Sequence, residues 1–159
     1  MRFFKQIKIN LFIFGLPFLL AVFSCNNDDS SVADLNNTNL TNDDNAALLF
    51  MLEEEKLARD TYTYLGDLWN INQFSNIKKS EQSHMNAVIV LLDQYDISYS
   101  LLAYGEFNNP DIQKLYDQFI DYGSENRANA LEVGANIEDL DIVDLAKFID
   151  ATTNSAMIQ

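Results

Sequence analysis

After Thr41, apolar side chains recur every three to four residues over most of the chain, and that period predicts helices. Thr41 and Asp44 form a T-x-x-D pattern suited to a helix start, and a first long helix is expected over about residues 43–69. With Glu55 as the origin of the helical wheel, Leu48, Met51, Ala58, Tyr62, Gly66 and Trp69 fall within about 60° of it. Glu55 is therefore the inward member of three consecutive glutamates, while Glu53 and Glu54 are expected on a solvated face. Residues 70–73 should turn the chain. A second helix is expected over about residues 75–95, with Phe74, Ile77, Glu81, His84, Met85, Val88, Leu92 and Tyr95 sharing a face. After a loop over 96–109, Asn109-Pro110 reads as a cap followed by proline at the first helical position. It opens a short helix to about Tyr122, which Gly123 closes. Ser124 should cap a last helix running to about Ala151. Leu131, Gly134, Ala135, Asp141, Ile142, Leu145 and Ile149 lie within about 60° of its Glu138, and Gly134 and Ala135 would let another helix approach closely.

A carboxylate among Leu, Met, Tyr and Trp needs a partner, because an unpaired buried charge is costly. Three helices each offer one inward glutamate: Glu55, Glu81 and Glu138, with Asp141 at the margin. The only histidine, His84, follows Glu81 by three residues, so the two side chains stand on adjacent turns. E-x-x-H at this spacing is used in two-metal carboxylate bundles. Plainer readings stand beside this one. Glu55 can pair with Arg59 and Lys56 with Asp60, each four residues on. An inward histidine can be a hydrogen-bonded core residue, Tyr62 can simply pack, and Asp141 can sit at the helix edge in water. Met51, Trp69, Met85 and Tyr95 read as core.

Composition narrows the class. The chain has 159 residues, 48% of them hydrophobic, with only five Gly and two Pro, which fits one compact all-α domain. The net charge is −14, and residues 1–24 carry Arg2, Lys5 and Lys8 with no acid, so the rest is more acidic still. Such a surface repels nucleic acid and anionic headgroups, so no nucleic-acid partner is expected. There is no tandem repeat, Gly-rich phosphate loop or CxxC. The basic start is followed by an apolar run from Leu11 to Phe23, too short for a confident span and fitting a signal-peptide core. The expected organisation is a signal segment over 1–24, a flexible polar tether over 25–42 and a helical domain over 43–159. Cys25 is the only cysteine, so no disulfide forms within the chain.

Val22 through Cys25 resembles the lipobox of bacterial lipoproteins. That resemblance implies a lipid on Cys25, anchoring the protein in a membrane of the bacterial cell envelope, at the periplasmic or surface face of the outer membrane. The acidic stretch Asn26–Ser30 resembles the sorting signals of some surface-displayed lipoproteins. The domain carries EEEKLARDTY (53–62), FSNIKKSEQSHM (74–85) and ALEVGANIEDLDIVDL (130–145), which closely resemble a bacterial ferritin-like family of unknown function over about residues 46–150. The six residues between Glu55 and Tyr62 match the E-x6-Y of ferritin-like proteins. The resemblance implies a four-helix bundle holding one or two non-haem irons, with oxidase, peroxidase-like or iron(II)-oxidising chemistry. Glu55 would be a terminal carboxylate, Glu81 a bridge, His84 the imidazole ligand and Glu138 the carboxylate of the last helix. Asp141 would be an extra ligand that the general pattern does not require, and Tyr62 a hydrogen-bond donor behind the ligands or a redox-active neighbour. Family members continue into a further helix with another histidine, whereas this chain stops at Gln159. A bundle truncated before its fourth long helix is therefore expected, with an apolar stripe exposed and a homo-oligomer or further chain completing it. The alternative is a non-enzymatic helical module for metal storage, sensing or partner binding.

Overall fold

The computed structural model describes residues 40–152, 154 and 157, so the signal segment, Cys25 and most of the tether lie outside the described residues. The described residues form four helices and no strand: α1 (Asn42–Trp69), α2 (Asn72–Gln94), α3 (Pro110–Gly123) and α4 (Arg127–Ala151). The fold is an all-α bundle of three long helices and a short one. Among the described residues, no helix is long and apolar enough to cross a membrane.

Local chemistry sets the helix ends. The Thr41 hydroxyl accepts from Asp44 N at 3.1 Å, and the Asp44 carboxylate accepts from Thr41 N at 2.9 Å, a reciprocal cap on α1. Asn70 takes the left-handed conformation (φ 52°), which asparagine tolerates, and Ile71 N donates back to Gly66 O. The turn is thus two residues long, and α2 starts earlier than its periodicity suggests. The Asn109 side chain accepts from Asp111 N and Ile112 N ahead of Pro110. Asn126 rather than Ser124 caps α4, because Ser124 N–H is still donating to Ile120 O and finishes α3. A methyl group at Gly123 would lie 2.6 Å from Leu65 Cδ1, so the last turn of α3 seats this closely on α1 without displacing the buried Leu65 side chain only because Gly123 has none.

α1 is the central rod and packs against each of the other three, while α3 also lies on α4. Tyr62 meets Phe74 edge to face at 4.8 Å, while Leu48 and Leu52 pack with Val88 and Leu92, so α1 and α2 run antiparallel. A larger core joins Leu57, Leu65, Ile112, Phe119, Val133 and Ile137 under α3 and α4.

Because α1 is covered nearly all round, several of its charges are buried. Lys56 (2% exposed) donates to Asp60 at 2.7 Å and to the carbonyls of Ala103 and Glu106, with its ammonium 4.3 Å from the Phe107 ring centroid. Asp60 also accepts from Arg59 and from Gly105 N. Glu53 accepts from Asn108 N, Asn108 Nδ2 and Asn109 N at 2.7–2.9 Å. Glu53 is therefore not on a solvated face: the loop between α2 and α3 folds over it, and the loop's N–H groups need acceptors there. The expected Lys56–Asp60 pair is present.

α4 departs most from expectation. It buries Ala130, Val133, Gly134 and Ile137, a face about 100° round from the stripe through Glu138. Leu131, Ala135, Glu138, Ile142, Leu145 and Ile149 are exposed. The helix is apolar on two sides, and the side with small residues went inward: the space a side chain would fill at Gly134 is taken by the Phe74 and Tyr62 rings. On α2, Glu81 is buried as expected, but the His84 side chain is 54% exposed.

Removing one member of a buried ion pair costs about 3–5 kcal/mol, because the other charge is stranded. Asp60→Ala is expected to lower stability by about that amount in urea unfolding, and to speed amide exchange in residues 103–109.

Candidate metal centre

The antiparallel pairing of α1 and α2 brings Glu55 beside the turn that carries Glu81 and His84. His84 Nδ1 lies 3.0 Å from Glu81 Oε2 and 3.2 Å from Glu55 Oε2. One ligand atom from each of the three residues lies within 4.8 Å of the others. Glu81 is buried, Glu55 is half-buried, and His84 forms the open rim. The other ring nitrogen, Nε2, is 3.5 Å from Ser80 Oγ. Arg59 does not neutralise Glu55: its guanidinium is committed to Asp60 Oδ1 at 2.7 and 2.9 Å and to Gln82 Oε1 at 2.8 Å.

A second set of groups flanks the first. The buried Tyr62 hydroxyl is 2.5 Å from Glu138 Oε1 and 3.1 Å from Gly134 O. Glu138 is thus tied to α1 through Tyr62 and stands outside the Glu55–Glu81–His84 group. Burial, and then the bond to Glu138, push the Tyr62 hydroxyl well above its ordinary range, so it remains a proton donor. Half-buried Asp141 is pushed up to about 7 by burial and then by Glu81 and Glu138. Of the candidate residues, the structure gathers Glu55, Glu81 and His84, sets Tyr62 against Glu138, and places Asp141 within electrostatic reach of Glu81.

Glu54 was missed. It is pushed up to about 8 by burial and then by Asp144 of α4. A single-face wheel assigns Glu54 to solvent, whereas α1 carries a neighbour on that side too. The opposite-signed pairs α1 offers do not reach it, and the available signal was only the density of acids on both helices.

Burial and then the adjacent Glu81 push Glu55 up to about 9. Glu54, Glu55 and Asp141 therefore hold protons in the folded state that the unfolded chain releases near the ordinary values of 4.5 and 3.8. Their stabilisation is complete below the unfolded values and is lost as pH rises through the raised ones. The thermal midpoint of the metal-free protein should fall steadily from about pH 5 to about pH 9. Glu54→Gln, which cannot ionise, should flatten that slope in a pH series of melting curves.

Comparison with known proteins places the chain in a family. Residues 44–159 match the family described as "Uncharacterized protein domain (DUF2202)". The chain is 44% identical over 117 residues to the uncharacterized protein MJ0754 of Methanocaldococcus jannaschii, a match covering 72% of this chain and 63% of that protein. The chain thus spans less than two thirds of that relative's length. The crystal structure of hypothetical protein MJ0754 from Methanococcus jannaschii is similar with a TM-score of 0.75 at 41% identity, over 77% of this chain and 71% of that one. Neither description carries an activity. With nearly three quarters of its length matched, the chain belongs to the family of uncharacterized domains designated DUF2202.

Proposed function

We propose that the protein is a ferritin-like metal-binding module that holds iron between α1 and α2 and uses it in oxidative chemistry. The Glu55–Glu81–His84 group carries this reading: two carboxylates and an imidazole converge, one carboxylate is buried, and among the described residues no Lys or Arg ion pair neutralises Glu55 or Glu81. This donor set fits a first-row transition ion, with carboxylates favouring oxidised iron and imidazole tolerating both states. Bound iron would supply electron transfer to oxygen or peroxide. Glu81 and Glu55 would hold the ion from opposite helices, and His84 Nδ1 already points at both. The exposed His84 rim leaves a path for a small oxidant. Tyr62 keeps the Glu138 carboxylate hydrogen-bonded beside this region, and Asp141 adds a further acid from α4. Three donors stand together among the described residues, and so small a set favours metal storage or sensing as the second reading. The lipobox resemblance adds the location: an envelope protein held to the membrane by a lipid on Cys25.

Aerobic loading with iron(II) should give bound iron by elemental analysis, a visible absorption band, and thermal stabilisation that a chelator reverses. Saturation at about 100 times the dissociation constant would add about 2.7 kcal/mol. Glu81→Ala and His84→Ala should each weaken iron binding by at least about tenfold. Unchanged metal content in both variants overturns the reading. Iron bound without consumption of oxygen, peroxide or iron(II) leaves storage or sensing in its place. For the anchor, Cys25→Ala should shift the protein from the membrane fraction to the soluble fraction of cells, and an unshifted variant overturns that part.

A further inference from the structure

The sequence offers Arg59 to Glu55, which lies four residues before it on nearly the same face of α1. An acid four residues ahead of a base is the favoured order for an ion pair along a helix. Asp60 is the chain neighbour of Arg59, about 100° round the helix, where side chains do not ordinarily meet. The guanidinium nonetheless turns to Asp60, giving Oδ1 its Nε–H at 2.9 Å and an Nη2–H at 2.7 Å. Asp60 does not need this second cation for neutrality. Lys56 already pairs with its Oδ2 at 2.7 Å, and Gly105 N donates to the same oxygen at 3.0 Å. One buried carboxylate therefore holds two bases, while the half-buried Glu55 is paired with neither of them.

Gln82 completes the hold. Its Oε1 accepts from Arg59 Nη1 at 2.8 Å, and its Nε2 donates to Asn86 Oδ1 at 3.0 Å, which keeps the amide oxygen toward the guanidinium. Gln82 is the residue after Glu81, so the guanidinium crosses from α1 to α2 next to the Glu55–Glu81–His84 group. It pairs with neither carboxylate of that group. We propose that Asp60 is a positioning residue for the metal site: it withholds Arg59 from Glu55, so that the Glu55 carboxylate stays open to a metal ion. The proposal rests on the iron binding proposed for the same site. A guanidinium on Glu55 would occupy its oxygens and set a positive charge where the ion must sit. This role is separable from the hold of Asp60 on the loop, because the two fall on different oxygens. Oδ2 serves Lys56 and Gly105, and Oδ1 serves Arg59.

Asp60→Asn separates the two tasks. The buried Lys56 ammonium and Gly105 N claim the amide oxygen, which turns the amide N–H groups toward Arg59 and releases it. Iron(II) is titrated anaerobically into each protein by calorimetry, and the metal-free variant is crystallised. Asp60→Asn should bind iron(II) at least about tenfold more weakly than the unaltered protein, with Arg59 within about 4 Å of a Glu55 oxygen. Arg59→Gln should bind at least as tightly as the unaltered protein. Combining Asp60→Asn with Arg59→Gln should restore the affinity without raising the melting midpoint, whereas a merely structural role for Asp60 would leave the double variant as weak as Asp60→Asn. If Asp60→Asn does not fold, Lys56→Met with Asp60→Leu removes the buried pair as a unit and releases Arg59 equally. The same weakening, and the same recovery with Arg59→Gln, are expected there. Unchanged affinity, a weakened variant whose Arg59 stays at position 60, or no recovery with Arg59→Gln overturns the proposal and leaves the metal site standing. An unaltered protein that binds no iron(II) removes the metal site and the proposal with it.

Discussion

A helix surrounded by neighbours cannot point its charges at water, and α1 is such a helix. Glu53, Lys56 and Asp60 are each at most 8% exposed, and each must find its partners inside the protein. That requirement organises the middle of the chain. Lys56 and Asp60 hold one another, and their remaining bonding capacity captures the backbone of the loop over 103–106. Glu53 captures the loop one step later, at Asn108 and Asn109, where Asn109 goes on to cap α3. The loop in turn positions α3, whose Ile112 and Phe119 complete the core against α1. A long connection without regular structure thus becomes a fixed part of the fold.

The same constraint is met differently across the helix, and the difference is chemical. Toward the loop, α1 presents Lys56 and Asp60 as an ion pair, and Glu53 is held by the N–H groups of Asn108 and Asn109. Toward α2 and α4, it presents Glu54 and Glu55 to Glu81, Asp141 and Asp144, and burial and these neighbouring acids push the carboxyls up, with Lys147 offsetting only part of the rise at Glu54. Arg59 could have served, but it is turned to Asp60 and Gln82 and holds α1 to α2 instead. Among the described residues, His84 is the one basic group paired with Glu55 and Glu81. A proton on these acids, or a metal ion between them, relieves the same electrostatic cost, which links the proposed metal site to the stability of the bundle.

α4 extends this logic to the surface. Its inner side meets α1 through small residues that admit the Tyr62 and Phe74 rings, and Tyr62 reaches across to Glu138. That bond holds Glu138 at the edge between the acidic region and the uncovered apolar stripe.

Much of the fold was written locally. Thr41 with Asp44, Asn109 with Pro110, and the repeating apolar positions fixed where three long helices and a short one run, because capping and a 3.6-residue period involve only near neighbours. The inward settings of Glu81 and Tyr62, and the pairing of Lys56 with Asp60, were legible for the same reason. What the period cannot say is how many neighbours a helix will have. α1 acquired partners on several sides, so Glu53 became a buried anchor and Glu54 a half-buried acid. α4 had two apolar faces and, among the described helices, turned only one of them to α1 and α3, so the stripe through Glu138 is exposed there, while His84 kept an open side. Those outcomes belong to the packing of whole helices, where close approach at Gly134 and Gly123, not hydrophobicity alone, decided which face was buried.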